Sequence, residues 1–416
     1  MTPTKNANKA IWIAGLGTIL ASFQLVIIGN YVVIFLSEDL VTAIILITII
    51  VSLRNLLQLF FRVPFGDLSQ IIGRKPMILF GHFSLTISLI LMSIADHWIW
   101  VLFSILFVAL GMSSFWPCIL AYVSDFSPEN SSGGFIGRVF QMADLGSIIG
   151  LLISNLILDE LLWSLRILFG IAAGIAFFLG LVNVIILPEG LDKAHKRQVS
   201  SIPRAIINSF FSMLSSLKQM TLTKGLTRVY FYQFIVSITE FTTTTFLPLL
   251  IVQKGYTRGD VAEIGFWALL LSVWFKPFLG SLTDKLRFIN VITATLIVYS
   301  LTLLVFTVAQ HILMLILLYI FLNVSMMTSY MAENNEVSSK ASVISRGTAL
   351  GALGFYVSLG RTTSTIISGP IWEILDLNSV FYVITISILI ITIISFFWNK
   401  KRQPYLDVEL TISQKN

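Results

Sequence analysis

The chain has 416 residues, of which 56% are hydrophobic and 12% are charged, and its mean hydropathy is +0.89. This composition excludes an ordinary soluble domain, and the single cysteine, Cys118, excludes a disulfide framework or a cysteine metal cluster. The formal net charge of +6 does not indicate nucleic-acid binding, because the basic residues collect in alternate loops between apolar runs. The sequence therefore predicts an integral membrane protein.

Apolar runs of about 20 residues, the length that a membrane-spanning helix needs, follow one another along the chain. The first run begins near Ala10 and is too long for the apolar core of a signal peptide, so we expect it to be retained. About twelve spans are predicted: Ala10–Leu36, Val41–Phe65, Pro76–Ala95, Trp98–Val123, Phe135–Leu158, Leu162–Leu187, Leu226–Val252, Asp260–Leu279, Phe288–Ala309, Ile312–Met331, Val343–Trp372 and Val380–Trp398.

The loop charges indicate the orientation of these spans. Basic residues dominate the loops on one side, with Lys254 and Arg258 as exceptions: Lys5, Lys9, Arg74, Lys75, Arg138, Lys193, Lys196, Arg197, Lys285, Arg287, Lys340, Lys400, Lys401 and Arg402. Acidic residues dominate the other side: Glu38, Asp39, Asp96, Asp159, Glu160, Glu373 and Asp376. The positive-inside rule then places both termini in the cytoplasm, with the protein in the plasma membrane.

A short motif between the second and third spans has a second copy much later in the chain. The first copy is Phe61–Lys75 and the second is Phe275–Arg287. Aligned on Gly66 and Gly280, the copies match Phe61 with Phe275, Arg62 with Lys276, Leu68 with Leu282 and Ser69 with Thr283. The repetition predicts two copies of one structural unit.

This motif resembles the loop motif of the major facilitator superfamily, Gly-x-Leu-x-Asp-Arg-x-Gly-Arg-Lys. The first copy matches it at Gly66, Leu68, Gly73, Arg74 and Lys75 and departs from it at Gln70 and Ile71; the second copy matches at Gly280, Asp284 and Lys285 and has Arg287 in place of a glycine. The resemblance implies an all-α membrane protein with twelve helices in two six-helix bundles. The implied parts are a first bundle at 1–187, a cytoplasmic linker at 188–225, a second bundle at 226–398 and a cytoplasmic tail at 399–416.

The resemblance also implies a gate at the motif loops. Asp125 is expected to pair with Arg74, and Glu333, as its equivalent, with Lys285 or Arg287. Two family marks of drug–proton antiport are missing: no arginine precedes Gly111 in the fourth span, and Leu151 stands where the antiporter motif has proline. These departures argue against that activity.

The linker contains one amphipathic segment. Its apolar residues recur at helical spacing: Ile206, Ile207, Phe210, Phe211, Leu214 and Leu217. Asn208, Ser209, Ser212, Ser215 and Ser216 form the other face. We expect a helix that lies on the inner membrane surface and acts mainly as a spacer between the halves.

Ionisable groups inside spans are costly and are often functional. Arg54, Gln58 and Arg62 recur at spacings of four, so they share one face of the second span. We expect this face to line a cavity or to contact the eleventh span. For Arg62, near the end of the span, snorkelling to the membrane surface is the alternative.

Glu240 and Arg361 lie deep in the seventh and eleventh spans. Glu240 is a candidate proton carrier or counter-charge for a cationic solute, and a fixed ion pair with Lys276 or Arg361 is the alternative. Arg361, if it approaches Arg54, suggests a site for an organic anion, because a guanidinium suits a carboxylate or phosphate.

Two further sets of residues complete the predicted sites. Asp144 in the fifth span and Lys276 in the eighth are expected to form an ion pair that latches the halves on the inner side. Gln24 and Asn30 in the first span are expected to hydrogen-bond the solute.

These features predict a secondary transporter that moves a small organic solute by alternating access, as a monomer, with protons as a candidate coupling ion. An efflux pump for amphipathic drugs or lipophilic cations is the alternative, and a non-transporting sensor would need a large soluble extension. An enzyme is not expected, because His82, His97, His195 and His311 are scattered and suggest no metal site. No cofactor is predicted.

Overall fold

A computed structural model describes residues 3–42, 44–127, 132–161, 163–189, 201–223, 225–256 and 258–413. The described chain forms fifteen α-helices: α1 (Pro3–Ile34), α2 (Ile44–Leu68), α3 (Arg74–Ser93), α4 (Trp98–Phe126), α5 (Ser132–Asn155), α6 (Leu165–Ile186), α7 (Ile202–Phe211), α8 (Met213–Leu222), α9 (Leu226–Gln253), α10 (Arg258–Ser272), α11 (Lys276–Lys285), α12 (Phe288–Val308), α13 (Ile312–Lys340), α14 (Arg346–Ile374) and α15 (Leu377–Ser413). With α10 and α11 counted as one span, and α7 and α8 as the linker, these helices account for the twelve predicted spans.

Nine spans of the described chain are long and apolar enough to cross a membrane by length and composition alone. The three helices outside this set are α2, α9 and α14. They carry Arg54, Arg62, Glu240 and Arg361, the charges that the sequence places inside spans. These three helices therefore carry the polar groups of a candidate site.

The two halves repeat with a constant offset of 214 residues from α2 to α5. Gly280 follows Gly66 by this distance, and the hydroxyls of Ser69 and Thr283 each donate to the carbonyl of the glycine three residues earlier, both at 2.7 Å. His97 and His311, also 214 apart, each accept a hydrogen bond at the N-terminus of a 29-residue helix, α4 or α13. The duplication inferred from one motif thus extends over several helices.

Several helix ends differ from the prediction. The eighth span is broken: a 3₁₀ turn at Val273–Phe275 separates α10 from α11, and Pro277, which has no backbone N–H to donate, lies in the first turn of α11. α13 continues from the predicted end at Met331 to Lys340, and α15 from Trp398 to Ser413, through the segment predicted as a tail. Hydropathy marks the apolar part of a helix, whereas polar residues can extend a helix once it has formed.

The linker contains two short helices, α7 and α8, instead of one. Ile207, Phe211 and Leu214 are exposed, as a membrane-surface helix requires, and Phe210 packs edge-on against Phe61 and Phe65 of α2. Ser209, predicted for the solvent face, is buried because its hydroxyl donates to Asp67 Oδ2 at 2.6 Å. The linker therefore contacts the first motif as well as joining the halves. The basic residues predicted at 193, 196 and 197 lie outside the described residues.

The end of the bundle at which α1 begins and α15 ends is called the termini face below. It carries both motif loops, and buried side chains of α13 and α14, such as Val337 and Ala349, belong there to the same apolar core as the first half. The rest of the second half has its own core. The two halves are thus in close contact at the termini face.

Candidate functional site

A cavity of about 480 Å³ lies between the halves. Helices α1, α2, α4 and α5 of the first half and α9, α13 and α14 of the second contribute its lining. Most of the wall is apolar, and Trp116 and Phe140 stack in it with ring centroids 5.9 Å apart. Polar side chains interrupt this wall, and four of the lining residues are charged: Arg62, Asp144, Glu240 and Arg361. An apolar wall with polar groups at fixed points is typical of sites for organic ligands.

Glu240 and Arg361 form a two-point ion pair on the cavity wall. Arg361 Nε donates to Glu240 Oε2 at 3.0 Å and Arg361 Nη2 donates to Glu240 Oε1 at 2.9 Å. The Tyr330 hydroxyl also donates to Glu240 Oε2, at 3.0 Å. The sequence left open an ion pair of Glu240 with Lys276 or with Arg361, and the structure has the pair with Arg361. Its geometry is the bidentate one that makes arginine–carboxylate pairs strong.

Arg62 crosses the interface between the halves. Its Nη1 donates to the carbonyl of Gly354 in α14 at 2.7 Å, and its Nη2 donates to Oε1 of Gln58 at 2.7 Å. Arg62 is 5% exposed and lines the cavity, so it does not snorkel to the membrane surface. Among the described residues, no carboxylate is paired with Arg62. The described hydrogen-bond partners of this charge are therefore neutral oxygen atoms.

The other predicted solute contacts have different positions. Arg54 is half-buried and is not part of the cavity lining, and its Nε has no hydrogen-bond partner among the described residues. Gln24 is fully buried and donates to Thr86 Oγ1 at 2.9 Å, so it is held against α3 instead of facing a solute. Asn30 is exposed farther along α1 and is not part of the cavity lining. The structure therefore brings Gln58, Arg62, Glu240 and Arg361 together without Gln24 or Asn30.

The α2–α14 interface closes one side of the termini face. A Cβ atom on Gly66 would collide with the backbone of Gly347 and lie 3.2 Å from Cα of Gly351, so the two helices meet at glycine. Gly73 has a φ of 121° just before α3, a conformation that favours glycine. The amide N–H groups of Arg74 and Lys75 then donate to Glu189.

Hydrogen bonds and ion pairs reinforce this interface. Asp125 accepts from Arg74 Nε at 3.1 Å, as predicted, and also from Arg346 Nη1 of the other half at 2.6 Å. Gln70, at the acidic position of the family motif, donates to Thr348 Oγ1 at 2.5 Å. Thr348 in turn donates to Asp67 Oδ1 at 3.3 Å.

The α5–α11 interface closes the other side of the termini face. A Cβ atom on Gly280 would collide with the backbone of Gly133. Asp284 accepts the backbone N–H groups of Gly133 at 2.8 Å and Gly134 at 3.1 Å, which are the orphan donors at the start of α5. Lys276 and Asp144 form the predicted ion pair, with the lysine side chain fully buried.

Glu333 does not make the predicted contact with Lys285 or Arg287. Both basic side chains are exposed, whereas Glu333 is 0% exposed inside α13. The 214-residue offset also gives Ser339, not Glu333, as the equivalent of Asp125. Tyr330 and Asp67 were not predicted as site residues. The 214-residue offset makes Tyr330 the equivalent of Trp116. Both residues line the cavity, so this offset is the sequence signal that points to Tyr330.

A multi-pass helical bundle with a cavity between two repeated halves and glycine-packed gates at one end defines a membrane transporter of the alternating-access type. A family model described as Major Facilitator Superfamily matches residues 14–365. The chain belongs to the Major Facilitator Superfamily. It is a transporter, as the members of that family are.

Relatives and solved structures agree with this assignment. The chain is 28% identical over 232 residues to "Multidrug resistance protein MdtG" of Proteus mirabilis, a match that covers 54% of this chain and about half, 53%, of that protein. It is 24% identical over 308 residues to "Multidrug resistance protein 2" of Bacillus subtilis, covering 73% and 74% of the two chains. The crystal structure of the human organic anion transporter MFSD10 (TETRAN) has the same fold, with a TM-score of 0.76 at 14% identity over 94% of this chain and 99% of that one.

Proposed function

We propose that this protein exports amphipathic organic solutes that carry an anionic group, by alternating access across the plasma membrane. The observation that carries the proposal is a difference between equivalent residues. Lys276 has Asp144 as its anion, whereas the hydrogen-bond partners described for Arg62, 214 residues earlier on the cavity wall, are Gln58 and a carbonyl oxygen. A carboxylate or sulfonate of the solute would supply the negative charge beside Arg62, as Asp144 of the protein supplies it beside Lys276.

The rest of the cavity suits the apolar body of such a solute. The stacked rings of Trp116 and Phe140 provide a flat surface, and Leu25, Val26 and Leu353 extend the apolar wall. The names of the two multidrug resistance proteins favour export over uptake. These names favour efflux even though the sequence lacks the arginine before Gly111 and the proline at position 151 that mark drug–proton antiporters.

The direction of transport depends on the orientation of the chain. The positive-inside rule makes the termini face cytoplasmic, so the described state is closed toward the cytoplasm. Reopening requires the α2–α14 and α5–α11 contacts to separate. We assign gating roles to the residues of these two interfaces and their motif loops: Gly66, Gly73, Arg74, Lys75, Asp125, Asp144, Lys276, Gly280 and Asp284. We assign the halves to residues 1–187 and 226–398 and expect a monomer.

Lipophilic cations are the second candidate solutes, and one observation favours them. Glu240 is a carboxylate on the cavity wall, and its side chain retains 11% exposure despite the pair with Arg361. A cation that displaced Arg361 would bind there. The two candidates therefore differ in which side chain, Arg62 or Glu240, is needed for transport.

The test is transport of two dyes by the purified protein in proteoliposomes: fluorescein, an amphipathic anion, and rhodamine 6G, a lipophilic cation. Arg62→Gln is expected to lower kcat/KM for fluorescein by at least about tenfold, since one lost charge-assisted contact amounts to about 1.5–3 kcal/mol. Arg62→Lys should retain part of the activity, and Arg228→Gln, at an exposed arginine of α9, should retain all of it.

The opposite pattern would remove the anion proposal. If rhodamine 6G is transported, fluorescein is not, and Glu240→Gln abolishes transport while Arg62→Gln does not, the solute is a cation. Fluorescein transport that is unaffected by Arg62→Gln would likewise exclude Arg62 as the anion-binding group.

A further inference from the structure

Glu333 is a carboxyl group buried inside a membrane-spanning helix, and no cation among the described residues is paired with it. Its side chain is 0% exposed, and neither carboxyl oxygen has a hydrogen-bond partner among the described residues. An ionised carboxylate in such a place is strongly disfavoured, whereas a protonated carboxyl is a small polar group of tolerable cost. Its surroundings therefore suit a group that carries a proton in this conformation.

The cations near α13 are already engaged elsewhere. On the helices packed against α13, Lys276 pairs with Asp144, Arg346 with Asp125 and Arg361 with Glu240. On α13 itself, Lys340 pairs with Glu336. The side chains of Arg138, Arg228, Lys285 and Arg287 are exposed.

The other titratable groups near α13 also have their own partners. Tyr330 donates to Glu240, and Asp284 accepts from the start of α5. Tyr230 donates to the carbonyl of Ala349 at 3.1 Å, and Tyr299 donates to Thr243 at 2.6 Å. None of these contacts includes Glu333, so within the described chain its charge is not compensated.

Glu333 lies between the cavity and the gates. Tyr330 and Asn334, three residues before it and one after it on α13, both line the cavity. The next residues along the same helix make contacts that hold the termini face closed: Asn335 donates to Asp284 at 3.1 Å, and the Ser338 hydroxyl lies 2.9 Å from that of Ser124 in the other half. Opening the termini face must change the surroundings of this part of α13.

We infer that Glu333 is the proton-binding site that couples transport to a proton gradient, in place of Glu240. Glu333 binds a proton as a carboxylic acid in the state closed at the termini face, where its side chain is fully buried. When the halves separate there and water approaches α13, the carboxyl releases the proton to that side and becomes a carboxylate. Glu240 is held in its two-point pair with Arg361. This inference depends on the proposed transport function.

The first test does not require a solute. Infrared difference spectra of the purified protein across a pH titration report the C=O stretch of protonated carboxyls. We expect a band that titrates in the wild type, is lost in Glu333→Gln, is shifted in Glu333→Asp, and is unchanged in Glu336→Gln, the matched variant on the same helix. A band that does not change with pH, or that persists in Glu333→Gln, would overturn the inference.

The second test uses fluorescein and rhodamine 6G flux in proteoliposomes with and without an imposed pH gradient. For whichever dye the wild type moves, Glu333→Gln should lose the stimulation by the gradient and retain exchange without it, while Glu336→Gln keeps both. Equal stimulation in Glu333→Gln would contradict the inference. Transport of rhodamine 6G alone would reject the proposed anion specificity. The infrared titration would then still test whether Glu333 binds the proton.

Discussion

The two interfaces that close the termini face share one backbone design and differ in their charges. In each, a motif glycine, Gly66 or Gly280, packs against the start of a helix from the other half. At α5–α11 the protein neutralises Lys276 with Asp144 and caps α5 with Asp284. At α2–α14 the equivalent positions hold Arg62, with which no carboxylate of the described residues is paired, and the neutral Gln70. Both interfaces therefore have the same glycine packing between helices. They differ in how Arg62 and Lys276 are neutralised, and Arg62 lines the cavity.

The largest effect is expected from breaking the buried Asp144–Lys276 ion pair of the α5–α11 interface. Asp144→Asn leaves Lys276 charged, buried and without its partner, which should destabilise the closed state by about 3–5 kcal/mol. Thermal unfolding of the purified protein and spin-label distances across the termini face measure the loss. The double variant Asp144→Asn/Lys276→Met should recover most of the stability, because no buried charge remains. Unchanged unfolding and unchanged transport in Asp144→Asn would exclude the latch.

A smaller effect is expected from giving the α2–α14 interface the charge that it lacks. Ser358 is the equivalent of Asp144 and is fully buried one turn beyond Gly354, the residue that accepts from Arg62. In Ser358→Asp, the new carboxylate should pair with Arg62 and compete with an anionic solute. We expect fluorescein transport to fall by about tenfold, which corresponds to a loss of about 1.4 kcal/mol of binding free energy. Ser358→Asn, of the same size and without charge, is the control. Equal transport by both variants would argue against the anion site.

The smallest effect is expected from restoring the acidic residue of the motif. Gln70→Asp gives α2–α14 the carboxylate that Asp284 gives α5–α11, aimed at the start of α14. An anion at a helix N-terminus stabilises by under about 1 kcal/mol, so we expect a modest shift of spin-label distances toward the closed state. Asp284→Asn should produce a shift of similar size in the opposite direction. Shifts of the same sign in both variants would refute the equivalence of the two positions.

Most of the fold follows from patterns that the sequence displays openly. Apolar length gives the spans, and the pairing of Gly66 with Gly280 gives the duplication, because both depend on residue types at fixed spacing. The break at Val273–Phe275 and the extension of α13 to Lys340 were not predicted. Hydropathy measures how a segment partitions into lipid, and it is insensitive to where backbone hydrogen bonding stops.

The site was predictable in its residue types and less so in its pairings. Arg62, Glu240 and Arg361 were predicted as site residues because they are charged and lie inside spans. A charge inside a membrane is costly and usually has a function. The partner of each charge depends on side-chain directions across helices that are far apart in sequence. Gln24 was therefore predicted to contact solute when it contacts Thr86, and Glu333 was given a basic partner that it does not have.

The Glu240–Arg361 pair has an electrical consequence. Both residues belong to the second half, one on α9 and one on α14, so the pair can move as a unit when the halves rotate. Two opposite charges that move together carry no net charge through the membrane field, so the transmembrane potential does little work on them. Arg62 moves with the first half, and its described hydrogen-bond partners are uncharged. The voltage sensitivity of turnover should therefore originate at Arg62, at the solute beside it and at the proton that Glu333 carries, and not at this pair.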